Sequence, residues 1–289
     1  MLKALVFLIA LVFGTSKVML QGKLTRTILN NSTDFALYNT LVFFAIGLVF
    51  FVRSGFYALS AGIALYIIGY AVFNALFQFS YTTAMKNGPV AVSALMINLS
   101  AGITVVFGIF RYGDIPSRPN LLGFVFLVIS LVLSADLKNS LKEKMSTKWL
   151  IFSLLAALFS AAGSIVSTEF ARTHGTELNG VLLAAGNFGA GLVMLLFFAL
   201  LGRREKRTVE LNVKNILFML SVAAALSVYQ PMMLRGLKLI SSAIYYPLMY
   251  TSTITVISLL SFTVFHDRLN KRQIYALVSG LIAIVLLAI

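Results

Sequence analysis

The chain has no cysteine, which excludes disulfides, thiol catalysis and thiolate metal sites. Histidine is nearly as scarce. His174 and His266 lie far apart in sequence, and no His/Asp/Glu cluster has the spacing of metal ligands. Charged residues make up 11% of the chain, against about 25% in a soluble globular domain. No acidic residue precedes Asp34. There is no nucleophile–base pair, phosphate loop or Glu-x-x-His pattern. The glycines of GNFGAGL (Gly186, Gly189, Gly191) follow no strand and read as helix packing. These absences leave an enzyme without catalytic groups, and they imply no cofactor.

What is present is oil. Apolar residues make up 60% of the 289, too many for a surface wetted all round. The chain reads as an all-α, polytopic integral membrane protein. Its net charge of +14 would suggest nucleic acid in a soluble protein. Here the basic residues fall mainly between apolar stretches, where they meet anionic headgroups and fix orientation. The expected partners are therefore the lipid bilayer and a small-molecule solute, with no nucleic acid, for a monomer or homodimer.

A spanning helix needs about 20 apolar residues. Ten runs qualify, at about 2–20, 35–52, 60–83, 89–110, 120–135, 148–171, 179–201, 213–234, 240–264 and 272–289. The first lacks a small-residue cleavage site and reads as a retained helix. The polar segment DLKNSLKEKMSTK separates two sets of five, giving repeats over 1–145 and 146–289. An odd number of helices per repeat turns the second copy upside down, so the expected architecture is ten transmembrane helices in two inverted five-helix repeats. Alternate loops hold 15 and 7 of the 23 Lys and Arg, with Lys17 inside the first helix. The positive-inside rule then puts both termini outside the cytoplasm.

The duplication shows in residues. QFSYTTAMKNGPVAVSALMINLS (78–100) is matched 152 positions later by QPMMLRGLKLISSAIYYPLMYTS (230–252). At that offset Gln78 meets Gln230, Lys86 meets Lys238, Ala91 meets Ala243 and Ser100 meets Ser252; at 153, Asp114 meets Asp267. A constant offset near half the chain length marks a repeated helical unit.

With ten short helices and the paired segments AMKNGPVAVSALMINLS…GD and GLKLISSAIYYPLMYTS…HDRL, the chain resembles the drug/metabolite transporter superfamily, in its ten-helix EamA-type branch. Asp114 and Asp267 stand where that family usually shows Glu. The aromatic-Gly pair of its first helix is Phe13-Gly14 here, but the counterpart is Phe159-Ser160. The resemblance implies carriage of small metabolites, often as an exporter of a bacterial plasma membrane. It also implies a central cavity lined by helices 1, 3, 4, 6, 8 and 9, and termini inside; on this last point the charge count is preferred.

Polar side chains are costly in a bilayer, so their positions inform. Tyr66, Tyr70, Asn74 and Gln78 recur at four-residue steps on one face of the third helix, as cavity lining or as interhelical hydrogen-bonding groups. Gln230 occupies the matching place in the eighth. Tyr246, Tyr250 and Thr253 form a stripe on the ninth helix, and the 152 offset maps Tyr250 onto Asn98 of the fourth. Tyr250 suits a flat or partly apolar ligand; the alternative is an interfacial aromatic belt. Lys17 shares a small-or-polar face with Ala10, Gly14 and Gln21, and either meets an anionic solute group or snorkels to nearby headgroups. Lys86, Arg235 and Lys238 sit at helix ends as topology-fixing charge. The substrate-binding candidates are Lys17, Asn74, Gln78, Asn98, Gln230 and Tyr250, with no catalytic or metal-binding residue. The expected function is secondary transport of a small polar or amphipathic organic metabolite by alternating access, with a lean to anionic or zwitterionic solutes. A flippase or scramblase for a lipid or lipid-linked substrate is the alternative on the same fold.

Overall fold

In a computed structural model the described residues are 2–54, 61–87, 90–113, 116–134, 146–174, 178–263 and 271–288. Among them are ten helices: α1 (Leu2–Thr27), α2 (Ser32–Ser54), α3 (Ala61–Asn87), α4 (Val90–Tyr112), α5 (Arg118–Ser134), α6 (Thr147–Thr173), α7 (Asn179–Leu201), α8 (Val213–Leu239), α9 (Ser242–Thr263) and α10 (Lys271–Ala288). Each covers one of the ten apolar runs. α1 and α8 continue beyond the expected ends at 20 and 234, because helix geometry persists into the polar residues that follow each apolar run. Six helices are long and apolar enough to cross a membrane among the described residues: α1, α2, α3, α6, α7 and α8.

α1 shows how the sequence suits a bilayer. Leu5, Leu8 and Val12 are exposed, while Val6, Ala10, Gln21 and Leu24 on other positions are buried. Apolar side chains face outward and the amide faces inward, the reverse of a helix in water.

The chain forms two compact units, and neither is a half of the sequence. Residues 1–83 and 158–238 make the first, and residues 84–157 and 239–289 the second. In the first unit α2 packs along α7. Phe43 of α2, Ala75 of α3, and Ala190 and Met194 of α7 form a core on which Phe79 and Phe197 pack, with ring centroids 5.1 Å apart. Gly186 on α7 lets α3 come close, since a Cβ there would stand 2.6 Å from the Tyr70 ring. The ends of these helices are fastened by Asp34, fully buried at the start of α2. Its carboxylate accepts from the backbone N–H groups of Asn30, Thr208 and Val209 and from the Thr208 hydroxyl. Asn31 Nδ2 and Thr33 Oγ1 donate to the carbonyls of Lys206 and Glu205, so the α1–α2 and α7–α8 connections are stitched together.

In the second unit α5 packs with α10, and α4 and α10 both pack with α9. The buried Trp149 rests on Ala84, Met96 and Phe152, and its indole Nε1 donates to Ser93 Oγ at 2.8 Å. That pairing satisfies the one polar atom of a large apolar ring.

Candidate functional site

Two buried amide pairs lie in the first unit. Gln78, on α3, is buried and its Oε1 accepts from Gln21 Nε2 of α1 at 3.0 Å. Gln230, on α8, is buried against Asn187 of α7. Asn187 Nδ2 donates to Gln230 Oε1 at 3.0 Å, and Gln230 Nε2 donates back to Asn187 Oδ1 at 3.2 Å. Asn187 Nδ2 also donates to the Leu183 carbonyl. The second pair is therefore closed, with every amide group engaged. The first is bonded once, which leaves Gln21 Oε1 and Gln78 Nε2 able to meet a third partner.

Lys17 lies one turn before Gln21 on α1. The same face carries Gly14, where a Cβ would stand 2.9 Å from the Tyr229 ring of α8. Ala10 and Gln21 on that face are buried, whereas Lys17 is half-buried. Lys17 thus sits between the approach of α1 to α8 and the amide contact of α1 with α3. Among the described residues its ammonium has neither an ion pair nor a hydrogen-bond acceptor.

The tyrosine and amide stripe of α3 divides. Tyr66 packs edge-on against Phe170 and His174 of α6's end at 5.7 and 5.4 Å, and Tyr70 is buried against Gly186. Asn74 is half-buried, one turn before Gln78, and carries no amide partner among the described residues. At the same end as Tyr66, Lys238 Nζ donates to the His174 carbonyl. Lys86, Arg235 and Lys238 are exposed.

Tyr250 belongs to the second unit, half-buried on α9, with its ring stacked on Tyr246 at 6.4 Å; Tyr246 meets Tyr245 edge-on at 6.3 Å. Asn98 lies on α4, but its side chain is outside the described residues, as are Asp114, Asp267 and His266. Among the described residues no group of three His, Cys, Asp or Glu could hold a metal.

Three residues now matter that sequence reasoning did not put forward as site residues: Gln21, Asn187 and Asp34. Gln21 stood on the polar face with Lys17, which was its signal. Asn187, an amide in the middle of an apolar helix, lay hidden among the glycines of GNFGAGL.

A solved crystal structure of a protein is similar over 97% of this chain and 98% of its own, with a TM-score of 0.71 at 16% identity. That likeness shows the ten-helix fold alone. No curated protein matches the sequence. Residues 147–289 match the model of the EamA-like transporter family, in the half where Gln230, Asn187 and Tyr250 lie. Through that half the chain belongs to the EamA-like transporter family, and it is a membrane transporter of the drug/metabolite superfamily.

Proposed function

We propose that the protein is a secondary transporter that exports a small polar or amphipathic organic metabolite by alternating access, with a lean to anionic or zwitterionic solutes. In the first unit its solute-binding residues are Lys17, Asn74 and Gln78, joined by Gln21, and Gln230 is a positioning residue that acts through Asn187; in the second unit they are Asn98 and Tyr250. The protein would sit in a bacterial plasma membrane with both termini outside the cytoplasm, an orientation that the distribution of Lys and Arg supports.

The observation that carries this reading is Lys17. A lysine well inside a membrane helix costs about 2.5–3.5 kcal/mol on insertion scales, so an unpaired one on an inward face calls for a function. Its neighbours on that face are buried and it is partly buried itself, with no partner for its charge among the described residues. The open amide groups of Gln21 and Gln78 lie one turn away.

The helix pairing supports the two inverted repeats, 1–145 and 146–289. α2 packs with α7, α4 with α9 and α5 with α10, each helix with the one five later. Copies related by a two-fold axis in the membrane plane generate such pairs, and two interconvertible halves give alternating access.

The test is flux of radiolabelled organic solutes into proteoliposomes, wild type beside Lys17→Met and Gln78→Leu. Solute flux that both substitutions abolish in folded protein is the expected result. Full flux in both variants would sink the site, and movement of labelled lipid with no solute flux would replace the transporter with a lipid flippase.

A further inference from the structure

We infer that the solute is a small organic monoanion bearing a neutral hydroxyl or amide about one helical turn from its charge, and that Gln21 determines specificity for that second group. The inference rests on the reading above that Lys17 and Gln78 face the solute.

The charge balance of the first unit fixes the first part. α1, α3, α7 and α8 contain no Asp or Glu. The carboxylate in α2 is Asp34, and its two oxygens already take hydrogen bonds from Asn30, Thr208 and Val209. The carboxylate in α6 is Glu169, near the end of that helix and not without a partner. A solute ammonium would find no free carboxylate beside Lys17 and would be repelled by the lysine itself. A second solute carboxylate would lose its water without gaining a cation, because among the described side chains the other basic residues of α1, α3 and α8 (Lys3, Lys23, Lys86, Lys214, Arg235 and Lys238) are exposed and α7 has none. One negative charge balances one lysine.

The amides fix the second part. Gln21 Nε2 is engaged with Gln78 Oε1, so the pair offers Gln21 Oε1 as an acceptor and Gln78 Nε2 as a donor. A hydroxyl both donates and accepts, and an amide carries one group of each kind, so either satisfies the two together. Gln21 follows Lys17 by four residues, which sets their backbone positions about 6 Å apart along α1. A four-carbon chain with a carboxylate at one end and a hydroxyl at the other spans that gap.

A single isosteric series tests this. Thermal stabilisation of the detergent-purified full chain is measured with 4-hydroxybutyrate, butyrate, succinate, 4-aminobutyrate and 4-amino-1-butanol, and flux of each into proteoliposomes is measured in parallel. A ligand that binds only the folded state raises its stability by mass action. In wild type, 4-hydroxybutyrate should bind about 2- to 10-fold more tightly than butyrate, the value of a net hydrogen bond. Lys17→Met should lose both ligands and Lys17→Arg should keep them. Gln21→Leu should shrink that preference, because only Gln78 then remains to meet the hydroxyl, and Gln21→Leu combined with Gln78→Leu should bind the two equally. Equal or stronger stabilisation by succinate, 4-aminobutyrate or the amino alcohol overturns the monoanion class, as does no stabilisation by any of the five. A hydroxyl preference undiminished in Gln21→Leu overturns the role of Gln21. Lys17-dependent binding without flux would leave the class standing and overturn the transporter reading; flux of the zwitterion or cation alone would do the reverse.

Discussion

Gln78 and Gln230 occupy equivalent places 152 residues apart, each buried and each facing an amide on another helix. Their partners make them different. Asn187 returns the hydrogen bond of Gln230 and closes the pair, while Gln21 meets Gln78 once and leaves a donor and an acceptor open. Matching residues at a constant offset need not share a role; the neighbouring helix decides it. A closed pair holds two helices together; an open one can still recognise something else.

The largest effect should fall on transport through the open pair. Gln78→Leu is expected to cut solute flux by about tenfold or more, counted per folded molecule, because a recognition hydrogen bond is lost and Gln21 is left facing a methyl group. Its stability should fall by about 1–2 kcal/mol, since one hydrogen bond is removed and Gln21 Nε2 loses its acceptor. Proteoliposome flux set beside chemical unfolding of the same preparation reads both quantities. A variant that loses stability and keeps flux would reverse the assignment of the two pairs.

Through the closed pair the effect should fall on stability. Gln230→Leu strands the Asn187 side chain, which loses a hydrogen bond on each of its two polar atoms in a fully buried position. About 2–3 kcal/mol of destabilisation is expected, with less loss of flux per folded molecule than in Gln78→Leu. The measurement is the unfolding midpoint in detergent with increasing denaturant. A shift no larger than that of Gln78→Leu would mean that the bidentate geometry adds nothing.

The polar positions could be read from one sequence, because helical period places Asn74 and Gln78 on one face and Lys17 with Gln21 on another. The helices themselves were equally legible, since ten apolar runs separated by short polar segments admit few alternatives. Which helix packs against which was not. Periodicity gives each helix a face but no address, so the stripe from Tyr66 to Gln78 read as one feature. In the structure its first two members pack, Tyr66 on Phe170 and His174 and Tyr70 over Gly186, while Asn74 has no hydrogen-bond partner among the described residues and Gln78 meets Gln21. The division of the chain into two units, each drawing on both halves of the sequence, is likewise a property of packing. Asp34 was legible only as the first acidic residue; its loop partners lie about 170 residues away along the chain.

A smaller effect is expected one residue from Asn187. Gly186→Ala places a methyl group 2.6 Å from the Tyr70 ring and leaves both amide pairs chemically intact. The ring must turn or α7 must shift away from α3, at a cost of about 1–2 kcal/mol. Restoring stability with Tyr70→Leu in the same chain would show that the clash lies with the ring, and no recovery would place the strain elsewhere.

The smallest effect should come from removing the closed pair altogether. Leucine at both 187 and 230 takes away two amides that bond to each other, so no buried polar group is left without its partner, and a pair replaced by apolar groups of similar size can be nearly neutral. The Leu183 carbonyl loses the extra bond from Asn187 Nδ2 but keeps its place in the α7 backbone ladder. The double variant should therefore lie within about 1 kcal/mol of wild type, more stable than Gln230→Leu alone. That recovery is a coupling energy between two contacting side chains, and a double-mutant cycle measures it directly. Additive losses would mean that Asn187 and Gln230 stabilise α7 and α8 separately, and the contrast between a closed and an open amide pair would then fail.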